Sequence, residues 1–191
     1  MDIDYSKWGL TEIVPLNRIK IATGKNMEVA WSTIPQVTQF DSADITKLFK
    51  LYKKIKTKLS GTKFSLISFY IKVLTKMLRE FPSFNSSLSN NKDSVVLKKY
   101  INVGVAVDTD KGLLVPVIKN CEKKSLIEIN DELNDLGKKA HLGNLKVEDL
   151  EGGTITISSL GGIGGTNFTP IVNPPQVAIL GFSKAQDQLI L

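Results

Sequence analysis

The chain has 191 residues, of which 42% are hydrophobic and 23% charged, with a formal net charge of +6 at pH 7. That suits one well-buried domain with the charge content of an ordinary soluble protein. No apolar run reaches the roughly 20 residues of a membrane span and the first residues lack a secretory leader, so a cytoplasmic protein without a membrane partner is expected. A lone cysteine, Cys121, excludes an internal disulfide and a multi-cysteine metal site, and reads as a partly buried structural thiol.

Residues 1–14 show little periodicity and read as an N-terminal arm lying on a neighbour, with Trp8 as a plausible anchor. From about residue 15 to 31, Leu16, Ile19, Ala22, Met27 and Ala30 make a helical stripe weakened by Gly24 and ended by Pro35. Residues 37–41 alternate like a strand. Asp44 is placed to cap a helix with Ile45, Leu48, Phe49, Tyr52 and Ile55 on one face. The lysines of that segment, Lys47, Lys50, Lys53, Lys54, Lys56 and Lys58, read as a solvated face, with attraction of an anionic cofactor the second reading. They lack the arginine and aromatic repertoire of a nucleic-acid surface.

Ser60-Gly61 breaks the pattern. A second amphipathic helix follows over about residues 65–80, and residues 85–93 are polar and turn-rich. Two strands, residues 101–107 and 113–118, are joined by a glycine-containing hairpin turn over residues 108–112; Pro116 belongs at an edge or a bulge. Ser125 and Glu128 have capping-box spacing, the helix they open is closed by Gly143, and residues 147–150 form a short helical turn. No repeat or interior linker is visible, and the mixture of helices with hairpin strands indicates an α/β sandwich with a mixed β-sheet flanked by helices.

The chain is organised around residues 154–181. Thr154-Ile-Thr-Ile157 favours a strand that ends in Ser158 and Ser159. Gly161, Gly162, Gly164 and Gly165 then allow positive φ and close backbone approach. Asn173-Pro174-Pro175 sets an extended turn, and Val177-Ala-Ile-Leu180 suits a strand buried on both faces. The glycine run lacks the Gly-Lys-Ser/Thr ending of a phosphate loop. His141, the only histidine, sits near the end of a helix, where interaction with terminal carbonyls is the ordinary role. No aspartate and histidine accompany a serine at an elbow, which rules out a hydrolase triad.

This stretch, with Ile34-Pro-Gln-Val-Thr-Gln-Phe40, Phe84-Asn-Ser-Ser-Leu88, Lys98-Lys-Tyr-Ile-Asn-Val-Gly-Val-Ala-Val-Asp-Thr109 and Gly112-Leu-Leu-Val-Pro116, closely resembles the catalytic domain of the dihydrolipoamide acyltransferases of 2-oxo acid dehydrogenase complexes, above all the bacterial pyruvate complex. The resemblance implies a chloramphenicol acetyltransferase-like fold, with residues 15–191 as the catalytic domain and active sites between the subunits of a homotrimer that can build a larger cubic core. It implies acetyl transfer between dihydrolipoamide and coenzyme A. The lipoyl group would ride on a domain not present here, and the dehydrogenase subunits of the complex would be further partners. Matched residue by residue, Ser158 takes the oxyanion role, with Ser159 the alternative. Asp108 falls beside the substrate channel, where a plain turn aspartate is the competing reading. Gly161, Gly162 and Asn173 line the substrate side. Asn85-Ser86-Ser87 reads as structural, and Gln36 stands where relatives often carry histidine.

The family's His-x-x-x-Asp-Gly motif would follow a further C-terminal stretch. The expectation is therefore a domain whose C-terminal part is missing and whose general base is not in this chain, with no metal in the site. A second expectation is a structural or assembly core that keeps trimer contacts without turnover.

Overall fold

The computed structural model describes residues 3–59 and 63–188. The predicted break at Ser60-Gly61 lies outside them. Four helices, α1 (Arg18–Thr33), α2 (Thr46–Lys58), α3 (Leu66–Glu80) and α4 (Leu126–Leu142), are combined with eight short strands. These are β1 (Ser86–Leu88), β2 (Val95–Leu97), β3 (Val103–Val105), β4 (Val107–Thr109), β5 (Gly112–Leu114), β6 (Val117–Ile118), β7 (Ile155–Ser159) and β8 (Ile179–Phe182). The main sheet has the order β6-β3-β7-β8, with β3, β7 and β8 parallel and β6 antiparallel to β3. β1–β2 and β4–β5 are separate antiparallel hairpins. The expected sandwich of helices on a mixed sheet is what the chain forms. Among the described residues no helix is long and apolar enough to cross a membrane.

Helices α3 and α4 cover one face of the main sheet. Ile71, Leu74 and Leu78 of α3 and Ile129 and Leu136 of α4 meet Val103, Val105, Ile155 and Ile157 in one buried cluster. Each fully buried aliphatic side chain there contributes about 1.5–3 kcal/mol. Both helices start where local signals put them. Ser65 Oγ accepts from Ile67 N at 3.2 Å, and Ser125 and Glu128 form the reciprocal capping box. Gly143, at φ +73°, ends α4. Asn130, fully buried on α4, accepts from Ser65 N at 2.9 Å and from Ser68 Oγ at 3.1 Å, so a polar clamp sets how the two helices meet.

Elsewhere the pattern needed tertiary correction. Helix α1 begins at Arg18, because Asn17 caps it through Lys20 N and also donates to Lys111 O, tying the helix to the β4–β5 turn; Leu16 lies outside. Residues 37–41 form no strand, since no neighbour offers a ladder, and Val37 is 96% exposed. Asp44 does bond Thr46 N, 2.8 Å, although Ile45 occupies the capping position itself. The polar stretch after residue 85 contains β1, and β2 follows it; neither was predicted. Each of the two predicted strands after residue 100 is broken in two. Asp108 therefore lies within β4, paired with Leu113, and is not a turn residue. Pro116 precedes β6 at the sheet edge, as its missing N–H requires, and its carbonyl accepts from Val105 N at 2.9 Å. Strand β8 starts at Ile179 and is half-buried, not covered on both faces.

Replacing Asn130 by Ala leaves a buried N–H and a buried hydroxyl without their acceptor, and should destabilise the chain by about 2–3 kcal/mol. Ser125→Ala, which removes one cap, should cost about 1 kcal/mol. Urea unfolding should show both as lowered midpoints at unchanged slope. Equal effects of the two would mean that the Asn130 clamp is not the stronger constraint.

Candidate functional site

Strand β7 alternates between two environments. Ile155 and Ile157 enter the core beneath the helices, so Thr154, Thr156 and Ser158 share the opposite face. The first two hydroxyls are committed to the fold. Thr154 Oγ1 accepts from Asn102 N at 3.2 Å and donates to Asn102 O at 3.1 Å, and Thr156 Oγ1 donates to Gln176 Oε1 at 2.7 Å. Ser158, third in the series, is half-buried, and its Oγ forms no hydrogen bond among the described residues. Ser159 points to the other face, where its Oγ accepts from Gly161 N at 3.3 Å. Of the two serines, Ser158 has the uncommitted hydroxyl.

The turn that follows leaves the sheet tightly. Leu160 O accepts from both Ile163 N and Gly164 N, and the left-handed positions are Gly164 and Gly165, at φ +116° and +93°. Gly161 and Gly162, the two predicted site glycines, have no positive φ and are exposed. The returning loop, residues 172–176, is held from three separate elements. Gln36 Oε1 accepts from Val172 N at 3.0 Å, Ser87 Oγ donates to Pro175 O, and Thr156 holds Gln176. Gln36 thus has a polar role that sequence reasoning missed. Its Nε2 is buried and has no partner among the described residues. Asn173 is half-buried in this loop and its carbonyl accepts from Gln176 N at 3.0 Å. Asn85 is structural, as expected: its amide donates to Lys98 O and Tyr100 O.

Asp108 is found elsewhere. It lines a cleft of about 700 Å³ between α4, the start of α3 and the β3–β4 segment, together with Lys63, Asp135, Lys138 and His141. Ser158, Gly161, Gly162 and Asn173 do not line that cleft. The glycine turn follows Ser158 directly along the chain and Asn173 lies in the loop that Gln176 ties to Thr156, whereas Asp108 lines the cleft that Ala106, bonded to Ile157 of β7, also borders. His141 is exposed, and the final carbonyls of α4 accept from the backbone N–H groups of Gly143 and Asn144, so the imidazole does not cap them. Gly181 of β8 is the Cα partner of Ser158, and the Phe168 ring packs against Gly181.

Two further candidates resolve into structure. The six lysines of α2 are exposed, and Lys53 Nζ sits 4.8 Å above the Phe49 ring and Lys56 Nζ 5.8 Å above that of Tyr52, which covers the aromatic pair with ammonium groups. Cys121 is fully buried and its Sγ donates to Ile118 O at 3.1 Å; burial pushes its thiol pKa up to about 11. At neutral pH it is a protonated core residue and no nucleophile.

Residues 9–191 match the family described as 2-oxoacid dehydrogenases acyltransferase (catalytic domain). The chain is 50% identical over 188 residues to the dihydrolipoyllysine-residue acetyltransferase component of the pyruvate dehydrogenase complex of Haemophilus influenzae, covering 96% of this chain and 33% of that protein. Its Cupriavidus necator counterpart is 47% identical, over 95% of this chain and 33% of the relative. The chain thus spans about a third of the length of these curated relatives. Among solved structures, the Azotobacter vinelandii dihydrolipoamide acetyltransferase superposes with a TM-score of 0.97 at 43% identity, over 100% of this chain and 79% of that one. It was solved in a study of the roles of a serine, a histidine and an asparagine in its catalytic mechanism. The cubic core of a pyruvate dehydrogenase multienzyme complex also gives 0.97, at 44% identity and the same coverage.

Since the folded thiol of Cys121 holds its proton up to about pH 11, the unfolded chain loses it first, and stability should fall as pH rises from about 9 to 11. Iodoacetamide at pH 8 should leave Cys121 unmodified in the native chain and alkylate it in urea, as read by mass spectrometry. Rapid native labelling would contradict its placement in the core.

Proposed function

Because the chain belongs to the 2-oxoacid dehydrogenase acyltransferase catalytic-domain family, we propose that it transfers an acetyl group between a dihydrolipoyl arm and coenzyme A in a pyruvate dehydrogenase complex. The observation that carries this is the Ser158 hydroxyl, left without a hydrogen-bond partner among the described residues on the polar face of β7 while its two predecessors are engaged. A donor held this way costs no reorganisation when negative charge develops before it.

In the proposed reaction the thiol of coenzyme A loses its proton to a histidine outside these 191 residues, and the thiolate attacks the thioester carbonyl of acetyl-dihydrolipoamide. A new C–S bond forms as the carbonyl electrons move to oxygen, and Ser158 donates its hydroxyl hydrogen to that oxyanion. Collapse re-forms the carbonyl and breaks the old C–S bond. The dihydrolipoyl thiolate then takes the proton from the imidazolium. A free thiol ionises near pH 8.5, so a positioned base is worth roughly 10²- to 10⁴-fold at neutral pH. Gly161, Gly162 and Asn173 are proposed to border the substrate on the Ser158 side, and Asp108 to serve the substrate channel from the neighbouring cleft.

The proposed assembly is a homotrimer with sites between subunits, extended to a cubic core and joined by lipoyl domains and dehydrogenase subunits in the cytoplasm. Residues 1–14 would act as an arm and residues 15–191 as the catalytic domain. The arm's apolar side chains support this: Trp8 is 76% exposed and Ile13 94%. One observation favours a second reading, an assembly core without turnover: the one histidine of these 191 residues, His141, lines the Asp108 cleft, whose lining does not include Ser158.

Acetyl transfer from acetyl coenzyme A to dihydrolipoamide distinguishes the two. The 191-residue chain should be slow, with a rate that climbs as pH approaches the thiol pKa. Extension through a relative's His-x-x-x-Asp-Gly segment should raise the rate at pH 7 by about 10²-fold or more. In that extended protein Ser158→Ala should lower kcat by about 10²- to 10³-fold with little change in KM. Full activity in the short chain would place the base on His141, and an unchanged rate in the serine variant would move the oxyanion role to Ser159 or backbone. Light scattering should return a trimer, whereas a monomer at high concentration would count against shared sites.

A further inference from the structure

Helix α1 ends in a tight turn that turns a single side chain inward. Ile34 N–H donates to Ala30 O at 3.1 Å, and Gln36 N–H reaches back over Pro35 to Ile34 O at 2.9 Å. From residue 35 to residue 41 only Gln36 is half-buried, and every other residue of that stretch is exposed. Its Oε1 accepts from Val172 N at 3.0 Å, and among the described residues no other hydrogen bond joins residues 35–41 to anything beyond the end of α1. As a stabilising device this contact is poor. One hydrogen bond gives a small net gain, whereas Nε2 of the same amide is buried without a partner among the described residues, which costs more. What the amide does achieve is to fix the loop at Val172.

We propose that Gln36 is a positioning residue for acyl transfer: through the backbone of Val172 it sets the place of Asn173 on the substrate side of Ser158. The proposal rests on the reading of this site as an acyl-transfer site bordered by Asn173. The far end of the loop is held without Gln36. Ser87 Oγ donates to Pro175 O, and Gln176 Oε1 accepts from Thr156 Oγ1, two positions before Ser158 on the same face of β7. Asn173 lies between those anchors and Val172, and its own carbonyl accepts from Gln176 N at 3.0 Å. Its C-terminal side is therefore fixed by the turn, and its N-terminal side by Gln36. Once Gln36 lets go, Asn173 shifts about the remaining anchors, and a displacement of about 1 Å in a group that orients substrate costs tenfold or more in rate. Gln36 itself touches no reacting atom in this scheme.

The test measures kcat/KM for acetyl transfer from acetyl coenzyme A to dihydrolipoamide in the protein extended through the histidine segment. Gln36→Met, close in shape but without an acceptor for Val172 N–H, should lower it by about tenfold. Gln36→His, whose neutral ring keeps an acceptor nitrogen, should recover most of that loss. Asn173→Ala should lower kcat/KM to a similar degree, and combining Gln36→Met with Asn173→Ala should be no worse than Asn173→Ala alone, because both changes act at one place. A merely structural role for Gln36 would multiply the two losses instead. Multiplied losses, an undiminished rate in Gln36→Met, or a full rate in Asn173→Ala would each overturn the proposal and leave the role of Ser158 intact. Gln36→Asn, too short to reach Val172, takes its place in the same cycle if the methionine variant does not fold. No acetyl transfer by the unsubstituted protein, or an undiminished rate in Ser158→Ala, would show instead that the reading of the site has failed, and the role of Gln36 falls with it.

Discussion

The parallel pairing of β7 with β3 on one side and β8 on the other decides, residue by residue, which side chains of this segment meet the helices and which meet the opposite face. Ile155 and Ile157 are buried to 2% and 0% exposure beneath α3 and α4, which leaves Thr154, Thr156 and Ser158 on the other side. A slip of one residue would drive the hydroxyls into the apolar cluster and bring the isoleucines out. The cost of such a slip would include the burial of several aliphatic side chains at about 1.5–3 kcal/mol each. The position of the Ser158 hydroxyl is thus held by the core, which contributes no chemistry of its own.

The same strand also organises the loop that faces it. Residues 172–176 have no strand partner among the described residues, yet the half-buried Gln36, a serine from β1 and a threonine from β7 each bond them. These contacts come from segments far apart in sequence, so the loop is rigid only when the whole domain is folded. Hydrogen bonds of this kind give modest net stability, about 1 kcal/mol each, but leaving one partner buried and unmet costs more. They therefore specify one loop conformation more than they stabilise the domain.

Local signals account for what could be read in advance. Ser65, Ser125 with Glu128, and Gly143 mark helix ends through contacts within a few residues, so α3 and α4 were legible in the sequence. β1 was not, because Ser86 and Ser87 are buried polar residues whose environment is supplied by Val96, Leu97 and Pro175. The alternation of residues 37–41 was as good as that of a strand, and what it lacked was a neighbour to pair with. At the site, the serine pair and glycine turn stand out as a motif, and the alternation of Thr154, Thr156 and Ser158 already separates the two serines by face. The bond from Gln36 to Val172 and the contact of Phe168 with Gly181 join residues 136 and 13 positions apart, and only the folded backbone brings them together.

The two margins of the main sheet are unequal. On one, β6 has two residues and follows a proline that offers no N–H; on the other, β8 has four residues and, among the described residues, no strand beyond it. A short, proline-flanked margin resists further pairing, whereas an open one presents a ladder of unused donors and acceptors. Among the described residues, the β8 margin is therefore the one better suited to accept a further strand. Any strand added there would run about 4.8 Å from Gly181 and roughly 10 Å from Ser158. Whatever occupies that margin would lie beside Gly181, the partner of Ser158 in the sheet.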